Sequence, residues 1–165
     1  MVDLIGTINK KIENFITMDN KFLILEKNQN EFNYIISLTT DWSSFQNLVL
    51  GFKPKVINEN LISYLNMDDK NDTNILVLYD LKDKKVVRKI KENILNYDVL
   101  PDGNISYVNK NTDNNNFTLF KYSIEDRNSS QIANFIGDKV YYSENKNTVY
   151  LNIMLPFENE KTEAI

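Results

Sequence analysis

The amino-acid sequence predicts an all-β fold of four-stranded antiparallel meanders, repeated about three to four times. Three observations predict it. The sequence matches itself at a fixed offset, its apolar residues fall in short runs of strand length, and polar clusters rich in Asn, Asp and Lys separate those runs at hairpin spacing. A self-match at a period of roughly 20 to 50 residues is the signature of a repeat architecture.

The offset is 43 residues. Setting VINENLISYLNMDDKNDTNILVLYDLKDK, from Val56, over VLPDGNISYVNKNTDNNNFTLFKYSIEDR, from Val99, pairs Val56 with Val99, Ile62 with Ile105, Ser63 with Ser106 and Tyr64 with Tyr107. Asn66 and Asn109, Asn71 and Asn114, Leu76 and Leu119, Tyr79 and Tyr122, and Asp83 and Asp126 continue the match. Asparagine fills 26 positions of the 165, so the two Asn pairs carry little; seven identities remain without them.

Each unit reads as four strands. The first, approximately 9–52, has runs at 12–17, 21–26, 31–38 and 45–52; the second, 53–93, has runs at 54–57, 61–66, 74–81 and 85–90. The third, 94–135, has runs at 94–100, 104–109, 117–124 and 129–135, and Pro101-Asp102-Gly103 forms a tight turn between the first two. The polar stretches 66–73 and 109–116 are hairpin tips. The fourth unit, 136–155, is partial, with runs at 139–143 and 148–154. Residues 1–155 thus form one domain. An orphan strand at 2–8 is placed to complete the truncated last unit, and 156–165 is a polar tail. In 82–95, Val86, Ile90 and Ile94 recur every four residues, as in a helix. The same slot in the next unit, 127–135, is a poor helix, and repeated units adopt one structure, so a strand is expected.

Two segments carry a resemblance: Leu100-Pro101-Asp102-Gly103, and Leu78-Tyr79-Asp80-Leu81 followed by Lys82-Asp83-Lys84-Lys85-Val86-Val87. Four-stranded units with these turns resemble blades of β-propellers, of the tryptophan-aspartate repeat or TolB-like type, over roughly residues 54–153. The Gly-His dipeptide of the former type is absent, and its Trp-Asp pair occurs once, reversed, as Asp41-Trp42. The resemblance implies a propeller-like fold of four to eight blades. At 43 residues per unit, 165 residues give fewer than four, so an incomplete propeller is expected. An open arc leaves strand edges and blade faces uncovered, which predicts a protein partner, self-association or a missing remainder of a larger protein. The bacterial proteins that this chain resembles imply an extracytoplasmic location if Met1 is an introduced start after a removed signal. As the chain stands, a cytoplasmic one is expected.

Composition excludes several chemistries. With no histidine and no cysteine, the chain supplies no Ser-His-Asp or Cys-His pair, no thiolate and no disulfide. A net charge of −4 and a pI near 4.9 argue against nucleic acid, whose affinity rests on clustered Lys and Arg. The basic stretch 82–91 (KDKKVVRKIK) reads as a charged turn and solvated edge, with an anionic partner as the sharper reading. No apolar run has the length of a membrane span.

Tyr64, Tyr107 and Tyr142 occupy corresponding second-strand positions; they line a ligand or partner surface, or fill the repeated core. Trp42, the single tryptophan, lies in the polar stretch TTDWSSF and is either a partner anchor or folded over a blade end. The acidic stretch 67–74 lacks the spacing of a calcium loop. The pairs Asp98 with Asp102 and Asp80 with Asp83 have the residue types for glycoside hydrolysis but too short a chain around them. The four glycines are scattered and make no phosphate cradle. No catalytic, cofactor or metal residue is therefore assigned. The expectation is a non-enzymatic interaction module that presents loops or an open strand edge to a protein. The alternative is a carbohydrate or small-ligand binding domain at the cell surface, with Trp42 and tyrosines as stacking platforms.

Overall fold

A computed structural model describes residues 11–28, 33–68, 72–111, 116–142 and 148–153. The orphan run 2–8 and the tail 156–165 lie outside the described residues. Among the described residues all regular structure is strand. In chain order the strands are β1 (Ile12–Met18), β2 (Lys21–Glu26), β3 (Tyr34–Thr39), β4 (Gln46–Asn58), β5 (Leu61–Asp68) and β6 (Thr73–Asp80). There follow β7 (Lys85–Lys91), β8 (Ile94–Val99), β9 (Ile105–Lys110), β10 (Asn116–Ser123), β11 (Asn128–Tyr142) and β12 (Val149–Ile153). No helix is long and apolar enough to cross a membrane among these residues.

The chain divides into two compact units, Met1–Ile94 and Leu95–Ile165. The first contains a seven-stranded sheet in the order β1 to β7, the second a five-stranded sheet in the order β12-β11-β10-β9-β8. Every neighbour in each sheet is a neighbour in sequence, so both are simple meanders. The segment 85–91 is a strand, as the repeat predicts.

Strand continuity differs from that read in the sequence. Runs 45–52 and 54–57 join into the single strand β4, which pairs with β3 as far as Gly51 and with β5 from Phe52 onward. The register shifts between Phe52 and Lys55, where Lys53 takes a left-handed φ of 47°. Pro54 begins the second of these runs in the sequence. It sits at this bulge, where its missing N–H leaves no ladder bond unmade. The runs 129–135 and 139–143 join in the same way into β11, which changes partner from β10 to β12 at Ile136 and Gly137.

A second irregularity repeats with the units. The fourth strand of each of the first three carries an extra residue that skips the ladder: Leu48 in β4, Ile90 in β7 and Ile132 in β11. They lie at 48, 90 and 132, a constant 42 apart. In β7 a further bulge at Val87 breaks the two-residue alternation again. Ile94 already belongs to β8, so the four-residue spacing that imitates a helix spans two strands.

In the first unit Met18, Leu23 and Ile36 of the first blade pack with Ile62, Tyr64, Ile75, Val77 and Tyr79 of the second. Full burial of one such aliphatic side chain contributes about 1.5–3 kcal/mol. Gly51 permits the closest approach there: a Cβ at this position would meet the Tyr64 ring and lie 2.7 Å from the Leu65 carbonyl oxygen. In the second unit Val108, Phe117, Leu119 and Phe135 form the cluster. Phe117 and Phe135, opposite each other on β10 and β11, stack with centroids 5.6 Å apart.

Candidate functional site

The turn from third to fourth strand is built alike in three units. A side-chain oxygen at the end of the third strand accepts the N–H three residues on: Asp80 from Asp83 at 2.8 Å, Ser123 from Asp126 at 3.1 Å and Thr39 from Trp42 at 3.1 Å. In two of the turns the residue after that donor is left-handed, Lys84 (φ 53°) and Arg127 (φ 54°), whereas in the longer first turn the donor Trp42 is itself left-handed (φ 60°). Trp42 is thus fixed by the repeat's own turn chemistry. Asp41 tightens the turn by accepting the N–H groups of Ser43 at 2.9 Å and Ser44 at 3.2 Å. Those bonds, Ser43 first, hold its carboxyl below the usual range.

The Trp42 ring lies against Phe22, with centroids 4.8 Å apart and planes at 45°, and against Phe15 at 5.7 Å and 81°. Phe15 and Phe22 are themselves in edge contact at 6.5 Å. They share a face of the sheet, because Phe15 pairs with Ile24, two residues from Phe22, and Phe22 pairs in turn with Thr39. Phe15 is 51% exposed, and Phe22 and Trp42 are half-buried. The three rings form an apolar, partly open surface at one end of the first blade. Sequence reasoning singled out Trp42 and missed both phenylalanines. The two-residue turn Asp19-Asn20 fixes the β1–β2 register and would have placed them together.

The tyrosines differ from Trp42. Tyr64 is buried in the first unit's core, where burial, and then the charge of Tyr79, push its hydroxyl up to about 12. Tyr107 is buried in the second unit, stacks on Phe120 at 5.2 Å and donates its hydroxyl to Ser129 Oγ at 2.9 Å. Tyr142 lies in β11 opposite Val149, and its side chain is outside the described residues. The structure therefore gathers no tyrosine at the Trp42 surface among the described residues.

The carboxylate pairs serve the backbone. Asp80 staples its turn, and Asp98 accepts the N–H of Val99 at 2.8 Å. Asp102 accepts Lys121 Nζ at 2.7 Å and the Asn104 N–H at 3.0 Å, and Lys121 chiefly holds its carboxyl down at about 2. Asp102 borders a cavity of about 400 Å³ in the second unit, lined mainly by Leu100, Pro101, Leu119, Ile132 and Val149. The stretch 67–74 lies partly outside the described residues.

Neither a protein-family model nor a curated protein matches the chain. Solved structures do. The β-propeller domain of the Trilobed protease from Pyrococcus furiosus, described as having an open velcro topology, is similar at a TM-score of 0.61 and 13% identity over 87% of this chain and 49% of that one. Pyrococcus horikoshii acylaminoacyl peptidase is similar at a TM-score of 0.53 and 14% identity, over 76% of this chain and 25% of that one. An acylaminoacyl peptidase in complex with Z-Gly-Gly-Phe-chloromethyl ketone gives the same values. The chain thus spans about half of the first and a quarter of the others. These likenesses correct the expectation of a non-enzymatic protein, because these solved structures are a protease's propeller domain and acylaminoacyl peptidases. Missing histidine and cysteine in a segment this short says nothing of the rest of such a protein. What the likeness establishes is the fold, which is propeller-like.

Proposed function

We propose that this chain is an interaction module whose contact surface is Trp42, Phe22 and Phe15, and whose partner is a protein offering an apolar side chain. The observation that carries the reading is the fixed, partly exposed Trp42 ring, braced by two phenylalanines in a turn where the corresponding N–H donors of the next two units are Asp83 and Asp126. Aromatic residues held rigid and half-open are the usual anchors of protein interfaces. The neighbouring rings meet Trp42 at 45° and 81°, so no shared flat face is offered for a sugar ring to stack on, whereas an aliphatic side chain fits among tilted rings. In the Trilobed protease the propeller is one domain of a larger enzyme. By analogy, the module supplies recognition within a larger assembly, a peptidase included.

Trp42 is the single tryptophan, so its fluorescence reports the site directly. Titration with the captured partner shifts that emission, and Trp42→Ala weakens binding by about 2 kcal/mol or more, roughly thirtyfold. Unaltered partner affinity in a folded Trp42→Ala variant refutes the reading. An emission change on adding oligosaccharides instead supports the carbohydrate alternative.

A further inference from the structure

The strand β7 ends the seven-stranded sheet of the first unit and is exposed along its length except at the half-buried Ile90. It belongs to the stretch 82–91, which holds six of the chain's nineteen basic residues and a single acid, Asp83, although the whole chain is net −4. The two bulges decide where those charges go. In a regular strand Lys85, Lys89 and Lys91 would share one face and Arg88 would take the other. Because Val87 and Ile90 skip the ladder, Lys85 pairs with Asp80, Arg88 with Leu78 and Lys91 with Leu76, three alternate residues of β6. Cross-strand partners lie on one face, so Lys85, Arg88 and Lys91 form a row with the spacing of every second strand residue, roughly 6.6–6.8 Å. Val86 and Lys89, opposite Tyr79 and Val77, take the other face.

We propose that this row receives an extended acidic segment of a partner protein, with Asp or Glu at every second residue. An extended peptide repeats its same-face side chains at the same interval, so its carboxylates meet Lys85, Arg88 and Lys91 one for one. Lys85 already shows the pairing: it holds Asp83 at 2.9 Å with both side chains more than half in water, so a partner carboxylate can take that place. Asp80, opposite Lys85, and Glu92, after Lys91, close the row at its two ends. The matching segment is therefore short, about five residues. Val86 and Val87, 45% and 50% exposed, lie between Lys85 and Arg88 and offer apolar contact to the residues between the carboxylates. A polypeptide has such residues, and a phosphate backbone does not. Outside 82–91 thirteen basic residues stand against twenty-two acidic ones, which repels a polyanion longer than the row. This surface shares no residue with the Trp42 surface, and either reading can fail without the other.

The test is the fluorescence anisotropy of a labelled peptide alternating glutamate with valine, titrated with the full chain in low salt. Saturable binding is expected, and it weakens as salt rises to physiological strength, where charges are screened beyond about 8 Å. Arg88→Glu and Lys91→Glu each weaken it by about fivefold, whereas Lys89→Glu, with nearly the same position and the same change of charge, alters it by less than about twofold. Where a reversed charge costs the strand spectrum, Lys91→Gln against Lys89→Gln gives the same contrast. Absence of binding, or equal losses at Lys89 and Lys91, overturns the proposal. Tighter binding of a single-stranded oligonucleotide of the same charge overturns it in favour of a polyphosphate partner.

Discussion

At Gly51 the chain has room for a hydrogen atom and nothing larger. Gly51→Ala drives a methyl group toward the Tyr64 ring and the Leu65 carbonyl, and the latter is backbone that cannot swing aside. Overpacking of this kind costs about 1–3 kcal/mol, so denaturant titration should show an earlier midpoint with unchanged slope. The Tyr64 phenol supplies a second prediction. The unfolded chain releases this proton near 10, the folded chain only near 12, because the buried hydroxyl cannot be solvated as an anion. Stability is therefore full below pH 10 and declines as pH rises from 10 to 12. Tyr64→Phe removes that part of the decline, and unfolding curves measured at pH 9 and pH 11 reveal the difference. Neither residue advertises its role in the sequence. A glycine inside an apolar run and a repeated tyrosine are both visible, but the contact between them depends on the bulge at Lys53 and Pro54, which shifts the register opposite Tyr64.

Among elements, the hairpin from third to fourth strand is the best preserved of the repeat, and it keeps its chemistry while changing its residues. Thr39, Asp80 and Ser123 are different side chains performing one hydrogen bond, which is why a search for identities passes over them. The basic residues Lys84 and Arg127 occupy a backbone conformation that costs a side-chain-bearing residue about 1 kcal/mol or more relative to glycine. Part of that gain is cancelled by the added freedom of glycine in the unfolded chain. Arg127→Gly should thus stabilise the protein by up to about 1 kcal/mol, read as a rise in melting temperature. Strand existence was legible from apolar runs and turn residues; strand continuity was not. The sequence reading separates runs at Lys53 and at Ile136-Gly137, where the chain instead changes partner within one continuous strand. Hydrophobic pattern records which face is buried, and it has no sign for which neighbour a strand is bonded to.

For the whole molecule, the self-match at 43 residues and the bulges at 42 describe the same unit seen through sequence and through geometry. The architecture was therefore readable from one chain without relatives. The candidate site was readable only in its central residue, since Trp42 announces itself by rarity whereas Phe15 and Phe22 are two among nine phenylalanines. The expectation of a non-enzymatic protein was overturned for a different reason: it counted side chains in a segment that spans half or less of the solved structures it resembles. The two partner-changing strands also bear on how such a chain yields to force. A blade joined to the next by a loose loop can be peeled off alone, like a bead from a slack thread. Here β4 is stitched into both of its sheets at once, and β11 likewise, so tension that frees one blade pulls on the ladder of its neighbour. Within each unit, a stretching force on one blade is thus passed along a continuous strand into the next.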